Sequence, residues 1–429
     1  MPMFSIKPSM IATVFRFIAL ILLTFNLSVL AQQTDNRCLN DLIAFDQYIR
    51  KLPSFKQQIV GDKKTEYLNL LELLKQNTAK PLSDFDCFCQ ITQLLNPIKD
   101  NHLAIYQTNS PIDYRKLTDS TYLEEIKTSA FFKAHPRTNL DLKELEEKLS
   151  KKALDDVEGI YSQWGIIKLG VFRASKPDSL VGVVLKSLMG QWEKDDIWMI
   201  LHEKAPNKFR SVVAFPNTKD YLLQMNDKFV NGMLTESGFS KMNKPKSFEF
   251  LNAKTPVYDF KTLSKDTQYL RLGSFNAMNE FLPVAQKFYD SIKDSLTAPN
   301  LIVDLRNNGG GAFKNSGKFL KLIEKYSKKG KVYTIVNGRT VSNAEQFTLK
   351  LKKLKKHTLL GARTCGTLTY GSNYGTRYDL PSKRYEFAVT DMKGRLEELK
   401  FEEIGIEPDV YLKTDTDFVE QVLDLINKK

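Results

Sequence analysis

Two short segments carry residues that could do chemistry, and each follows a stretch predicted as a β-strand. The first is the glycine cluster at residues 304–311 (DLRNNGGG), after the predicted strand Leu301–Val303. Because glycine has no Cβ, backbone N–H groups in such a turn can approach a ligand closely. The turn could cradle a phosphate, stabilise an oxyanion, or be a plain tight turn. Its sequence excludes a P-loop and the dinucleotide-binding G-x-G-x-x-G spacing.

The second segment places a serine hydroxyl where a strand gives way to a helix. Ser342 lies in residues 337–347 (NGRTVSNAEQF), after the predicted strand Lys331–Val336. The first backbone amides of a helix favour developing negative charge, so this position suits a nucleophile. Ser342 is also a good N-cap residue with Glu345 three positions later, which is the spacing of a capping box. Taken alone, the segment leaves a purely structural role for Ser342 open.

Four motifs in order resemble those of the carboxyl-terminal processing peptidases, or tail-specific proteases, and their tricorn-core relatives. The family pattern is D-L-R-x-N-x-G-G, T-x-S-x-x-E, G-x-x-T-x-G and G-x-x-P-D. It is matched in this chain by residues 304–311, 340–345, 361–366 (GARTCG) and 405–409 (GIEPD). The resemblance spans roughly residues 267–412 and implies a serine peptidase. It would hydrolyse polypeptides through an acyl-enzyme, with no metal and no cofactor.

The resemblance also implies roles for individual residues. Ser342 is the expected nucleophile. The backbone amides of Gly309 or Gly310 and of Asn343 are expected to form the oxyanion hole, because a tetrahedral intermediate needs donors aimed at its oxygen.

The residue that activates the serine departs from the simplest family pattern. Tail-specific proteases use a lysine after G-x-x-T-x-G, but Thr367 stands there and the chain has no S-x-x-K. The tricorn-type branch uses a histidine from a D-x-H segment, which residues 98–105 (IKDNHLAI) match. His102 is therefore the expected base, with Glu402 as the late acid and Glu403 as its near alternative. An ordinary histidine pKa of ~6.5 predicts activity that rises through the mildly acidic range.

Two other functions fit the same residues. The missing lysine is compatible with an inactive homologue that binds peptides, and the same triad would serve an ester or other acyl hydrolase. An α/β-hydrolase is excluded because no G-x-S-x-G occurs. Residues 157–250 contain no clear Gly-Leu-Gly-Phe loop, so capture of C-terminal tails by a PDZ module stays open.

The periodicity of the chain predicts the elements that must position these residues. Residues 32–156 have helical periodicity and form the expected N-terminal cap, which carries His102. Residues 157–260 are rich in short strands and predict a small antiparallel sandwich or barrel. Residues 261–429 alternate strands and helices, which is typical of an α/β domain. By the family resemblance, that domain is expected to be of the ClpP/crotonase type.

Composition bears on where the protein works. Residues 1–31 read as a cleaved export signal, because the apolar stretch 17–30 is shorter than the ~20 residues of a spanning helix. The predicted location is periplasmic or extracellular, without a stable membrane span. The net charge of +13 is spread over surface lysines, with no basic motif interleaved with aromatic residues, so nucleic-acid binding is not favoured.

The four cysteines allow a disulfide in an exported chain. We expect Cys38 to pair with Cys87 or Cys89 and Cys365 to remain free beside the active-site turn. The four histidines are scattered along the chain, and a zinc site is not expected.

Overall fold

The structure, a computed structural model, describes residues 36–174 and 178–428. The predicted export signal over residues 1–31 lies outside the described residues. Within them, no helix combines the length and apolarity that a membrane crossing requires.

The N-terminal part is mainly helical, as its periodicity predicts. Its α-helices are α1 (Arg37–Ile49), α2 (Pro53–Gln58), α3 (Asp62–Thr78), α4 (Asp84–Ile91), α5 (Ser120–Thr128), α6 (Ala130–Lys133) and α7 (Leu142–Ser150). Short 3-10 turns cover Thr92–Leu95 and Tyr114–Lys116. Strand β1 (Ala104–Gln107) interrupts these helices directly after His102 and joins a sheet, so this region is not helical throughout.

The middle of the chain forms a closed antiparallel barrel, which decides between the sandwich and the barrel expected from the sequence. Strand β7 pairs with β6 on one edge and with β8 on the other, so the eight strands β2–β9 close into a ring. The strands are β2 (Gly159–Gln163), β3 (Ile167–Arg173), β4 (Ser179–Ser187), β5 (Ile197–Ala205), β6 (Lys208–Ala214), β7 (Tyr221–Val230), β8 (Met233–Leu234) and β9 (Ser240–Lys241).

Three further strands extend the barrel sheet and fix the segment that carries His102. Strand β1 pairs with β7 and also with β16 (Tyr385–Ala388), which in turn pairs with β15 (Arg377–Asp379). The chain therefore returns from the C-terminal region to the barrel sheet. Helix α1 packs on this extension, where the rings of Phe45 and Phe387 lie 4.8 Å apart in an edge-to-face arrangement. A disulfide between Cys38 and Cys87 ties α1 to α4.

The C-terminal part is a three-layer α/β unit. Its six-stranded sheet has the order β10-β11-β12-β13-β14-β17, parallel except for the pair β10–β11. The strands are β10 (Tyr258–Ser264), β11 (Thr267–Leu272), β12 (Asn300–Asp304), β13 (Lys331–Val336), β14 (His357–Gly361) and β17 (Val410–Tyr411). One face is covered by α8 (Phe281–Ile292), α9 (Phe313–Ser327) and α10 (Asn343–Leu351), and the other by α11 (Phe418–Asn427).

This topology brings the two chemical segments together. Strands β12 and β13 are parallel neighbours, with Asp304 opposite Ile335. Because the carboxyl ends of parallel strands meet at one edge, the glycine cluster after β12 and the Ser342 turn after β13 lie side by side.

Candidate active site

The turn that carries Ser342 is fixed on the edge of the sheet in a strained conformation. Ser342 has φ +57° and ψ −122°, a region that residues with a side chain rarely adopt. The turn is bonded to the neighbouring glycine segment, because Val341 N–H donates to the Asn308 carbonyl (2.9 Å) and the Thr340 hydroxyl donates to the Leu305 carbonyl (2.9 Å). Ser342 is partly exposed at the start of α10.

The glycine cluster lies directly against the serine. A Cβ on Gly310 (φ +90°) would stand 2.8 Å from the Ser342 Cβ and 3.1 Å from the Asn343 nitrogen, so only glycine fits there. The Gly310 N–H donates to the Asn308 side chain at 2.9 Å. The Gly309 N–H and the Asn343 N–H donate to no other group among the described residues. Of the two predicted glycine donors, Gly309 is therefore the one left unoccupied.

His102 reaches Ser342 from the other half of the molecule. Its Nε2 lies 2.9 Å from the Ser342 Oγ. The carboxylate of the fully buried Asp100 accepts from the His102 N–H (3.3 Å) and from the Thr390 hydroxyl (2.6 Å). The D-x-H form thus fixes the backbone that presents the imidazole.

Burial changes the protonation of this histidine. Desolvation lowers the pKa of His102 to about 4, because the charged imidazolium loses its hydration. The expectation of an ordinary histidine pKa is therefore wrong, and the ring is neutral at pH 7. Its Nδ1 is enclosed and has no hydrogen-bond partner among the described residues.

Glu402 is buried beside this loop, but its hydrogen bonds go to backbone amides. It accepts from the N–H groups of Asn101 (2.9 Å), Leu368 (3.0 Å) and Thr369 (2.9 Å). The alternative acid, Glu403, instead forms an ion pair with Arg210 at 2.6 Å. Within the described part of the chain, neither carboxylate bonds to the His102 ring. Glu402 holds the histidine loop to the segment after G-x-x-T-x-G.

Glu345 does more than cap a helix. One oxygen accepts from the Ser342 N–H (3.1 Å) and the Thr367 N–H (2.8 Å). The other accepts from the Thr364 hydroxyl (2.6 Å) and the Gly366 N–H (2.7 Å). Burial raises the pKa of this carboxyl group to about 7. The three-residue spacing between Ser342 and Glu345 predicts only the helix cap. The hydrogen bonds that connect Glu345 to residues 361–366 depend on tertiary contacts.

Three barrel residues that the sequence did not single out hold the two segments of the site. Asn226 Nδ2 (3.1 Å) and Lys228 Nζ (2.6 Å) donate to the Cys365 carbonyl. Arg210, which is buried, donates to the Ile98 carbonyl four residues before the catalytic candidate His102 (2.8 Å). The barrel therefore sets the position of both the histidine loop and the segment that holds Glu345.

No group of three or more His, Cys, Asp or Glu side chains in the described ranges is arranged to hold a metal ion. The chemistry that these residues offer is that of a neutral imidazole at hydrogen-bond distance from a serine hydroxyl. Two unoccupied amides stand on the glycine cluster and the helix start next to it.

Comparison with known proteins supports the resemblance seen in the motifs. Residues 314–412 match the sequence profile of peptidase family S41. No curated protein matches the chain.

Similar solved structures include the photosystem II D1 C-terminal processing protease (16% identity, covering 89% of this chain and 94% of that chain, TM-score 0.35). The tricorn protease is similar at 14% identity, over 91% of this chain and 37% of that chain, with a TM-score of 0.41. Mature CPAF is similar at 10% identity, over 91% and 97%, with a TM-score of 0.40. The segment 314–412, which contains Ser342, is therefore similar to the peptidases of family S41.

Proposed function

We propose that this protein is an exported endopeptidase in which His102 activates Ser342 for attack on a peptide bond. The observation that carries the proposal is the 2.9 Å distance between Nε2 and Oγ. Since the ring is neutral at pH 7, Nε2 can accept the hydroxyl proton as Oγ forms its bond to the carbonyl carbon. The Gly309 and Asn343 amides would then donate to the oxyanion.

The second half of the reaction uses the same groups. As the tetrahedral intermediate collapses, the C–N bond breaks and the proton on Nε2 passes to the leaving amine. The acyl group stays on Ser342 Oγ until water attacks it, with His102 again taking the proton. Asp100 and Glu402, both fully buried, accept from the N–H groups of His102 and Asn101 and so fix the backbone that carries the imidazole. We assign them as positioning residues.

Fold and location belong to the same proposal. We assign the core to the ClpP/crotonase type, which the three-layer arrangement of β11–β14 with helices on both faces supports. Export to a periplasmic or extracellular location is supported by the signal-like sequence of residues 1–31 and by the Cys38–Cys87 disulfide, since disulfides persist in oxidising compartments.

Hydrolysis of a fluorescent unfolded-protein substrate and of a p-nitrophenyl ester tests the proposal against its rivals. The wild type and a Ser291→Ala control, altered on an exposed helix face, should cleave the polypeptide at internal bonds. Ser342→Ala should not. Cleavage of the ester alone would favour an acyl hydrolase, and cleavage of neither substrate would favour an inactive peptide binder.

A further inference from the structure

A cavity behind the active-site turn is not used by the proposed mechanism. It has a volume of about 260 Å³ and lies between the barrel and the α/β unit. We call it the interdomain cavity. Its lining includes Lys228, Val230, Glu249, Ala362, Cys365 and Leu412. Pockets for drug-sized ligands run from about 300 to 1,000 Å³, so this cavity suits a smaller molecule.

The cavity contains a cation that no carboxylate neutralises at close range. Lys228 Nζ donates to two neutral acceptors, the carbonyls of Cys365 (2.6 Å) and Ile404 (3.3 Å). An ammonium has three N–H groups, so one is left for a ligand. Glu345 and Glu236 act on the amine only at longer range. Apolar side chains of Val230 and Leu412 line the remaining wall.

One peptide bond connects this cation to the candidate nucleophile. The carbonyl of Cys365 accepts from Lys228, and the N–H of the same peptide bond, on Gly366, donates to Glu345 at 2.7 Å. Glu345 in turn accepts from the Ser342 N–H at 3.1 Å. A ligand that competes for Lys228 therefore acts on the support of Ser342 through one rigid peptide plane.

We propose that the interdomain cavity is a regulatory site for a small apolar carboxylate, which pairs with Lys228 and loosens the Cys365–Gly366 peptide from the amine. A carboxylate carries a full negative charge and attracts an ammonium more strongly than a neutral carbonyl does, so the ligand draws Nζ away from Cys365. Occupancy then lowers turnover. Glu249, at the same cavity, would add a partner for a ligand that also carries an ammonium group.

Calorimetric titration with hexanoate tests the site itself, and norleucine tests the contribution of Glu249. The titration uses the Ser342→Ala variant, so it does not depend on hydrolysis. We expect saturable 1:1 binding that is weakened at least 10-fold by adding Lys228→Gln, which removes the charge, or Val230→Phe, which fills the cavity. Val284→Phe, altered on an exposed face of α8, is the matched control. Tighter binding of norleucine would identify amino acids as the ligand class, and tighter binding of hexanoate would identify simple carboxylates.

The regulatory part rests on the proposed peptidase function and is tested in the otherwise wild-type enzyme. Saturating ligand should lower kcat severalfold in the wild type and in Val284→Phe, but not in Val230→Phe. Absence of binding, or equal binding to the Lys228→Gln protein, would overturn the site. Binding without a change in kcat would overturn regulation. Failure of the peptidase proposal itself would show separately, as no hydrolysis without ligand.

Discussion

The Nε2 atom of His102 lies 2.9 Å from the Oγ atom of Ser342, although 240 positions separate the two residues in the sequence. The contact spans the two halves of the molecule, because His102 precedes the first strand of the barrel sheet and Ser342 follows a strand of the α/β unit. Asn101 also connects the two halves of the molecule. Its N–H donates to Glu402, and its side chain donates to the Gly366 carbonyl at 2.6 Å.

The pH dependence of kcat/KM should reflect the buried environment of His102. Its pKa is lowered to about 4, and a general base works only in its neutral form. The rising limb should therefore lie near pH 4, with a plateau through neutrality. Initial rates on a short peptide at low substrate concentration measure this profile. A limb centred near the ordinary histidine pKa of ~6.5 would contradict the assigned environment.

Glu345→Gln should lower kcat at least 10-fold. The amide has one acceptor oxygen instead of two, which leaves backbone N–H groups of the Ser342 and Thr367 region unpaired. Each buried donor left unpaired costs roughly 1–3 kcal/mol, so the melting temperature should fall as well. Steady-state kinetics and thermal unfolding measure both effects. Glu324→Gln, on an exposed face of α9, should change neither, and an unaltered kcat in Glu345→Gln would refute the supporting role.

The four motifs were enough to indicate the family resemblance and Ser342, and the D-x-H segment was enough to indicate His102, because each of these patterns is local in sequence. The supports of these residues were not predictable in that way. Lys228 reaches Cys365 across 137 positions, and Arg210 reaches Glu403 across 193. A single sequence contains no signal for such a pairing. For the same reason, the sequence did not predict that residues 377–388 return to the barrel sheet.

Glu402, the expected late acid, shows a different limit of prediction from sequence. Motif spacing predicted that Glu402 lies near the histidine, and it lies beside that loop. Its spacing carries no information on whether the carboxylate faces the ring or the backbone. The fold directs it to the N–H groups of Asn101, Leu368 and Thr369, because buried amides need acceptors. Burial, which sets the pKa of His102, is likewise a property of the packed structure.

Asp100 should make the folded state less stable as pH rises. Burial raises its pKa from 3.8 to about 7. Between these values the unfolded chain releases the proton and the folded chain keeps it, so stability falls with increasing pH. Relative to Asp100→Asn, the wild type should lose about 1.4 kcal/mol per pH unit in this window. Urea unfolding of both proteins at pH 4.5 and pH 6.5 measures the difference. A difference independent of pH would contradict the shifted pKa.

The Cys38–Cys87 disulfide should contribute substantially to the stability of the helical region. Cys38→Ala is expected to lower the free energy of unfolding by roughly 2–4 kcal/mol. Cys89→Ala is the control, because Cys89 is a free thiol. Thiol titration of the denatured, unreduced protein should find two reactive groups, Cys89 and Cys365. Four reactive thiols in protein prepared from an oxidising compartment would show that the bond does not form.

The rate of serine labelling by a fluorophosphonate tests the central claim most directly. The probe reads the nucleophilicity of the Ser342 hydroxyl and does not require a known peptide substrate. Peptide mapping should locate the label on Ser342 in the wild type, and Ser342→Ala should not react. His102→Ala should slow labelling by a factor on the order of 10²–10⁴ through loss of the general base. An unchanged labelling rate in His102→Ala, or labelling at another serine, would contradict the account.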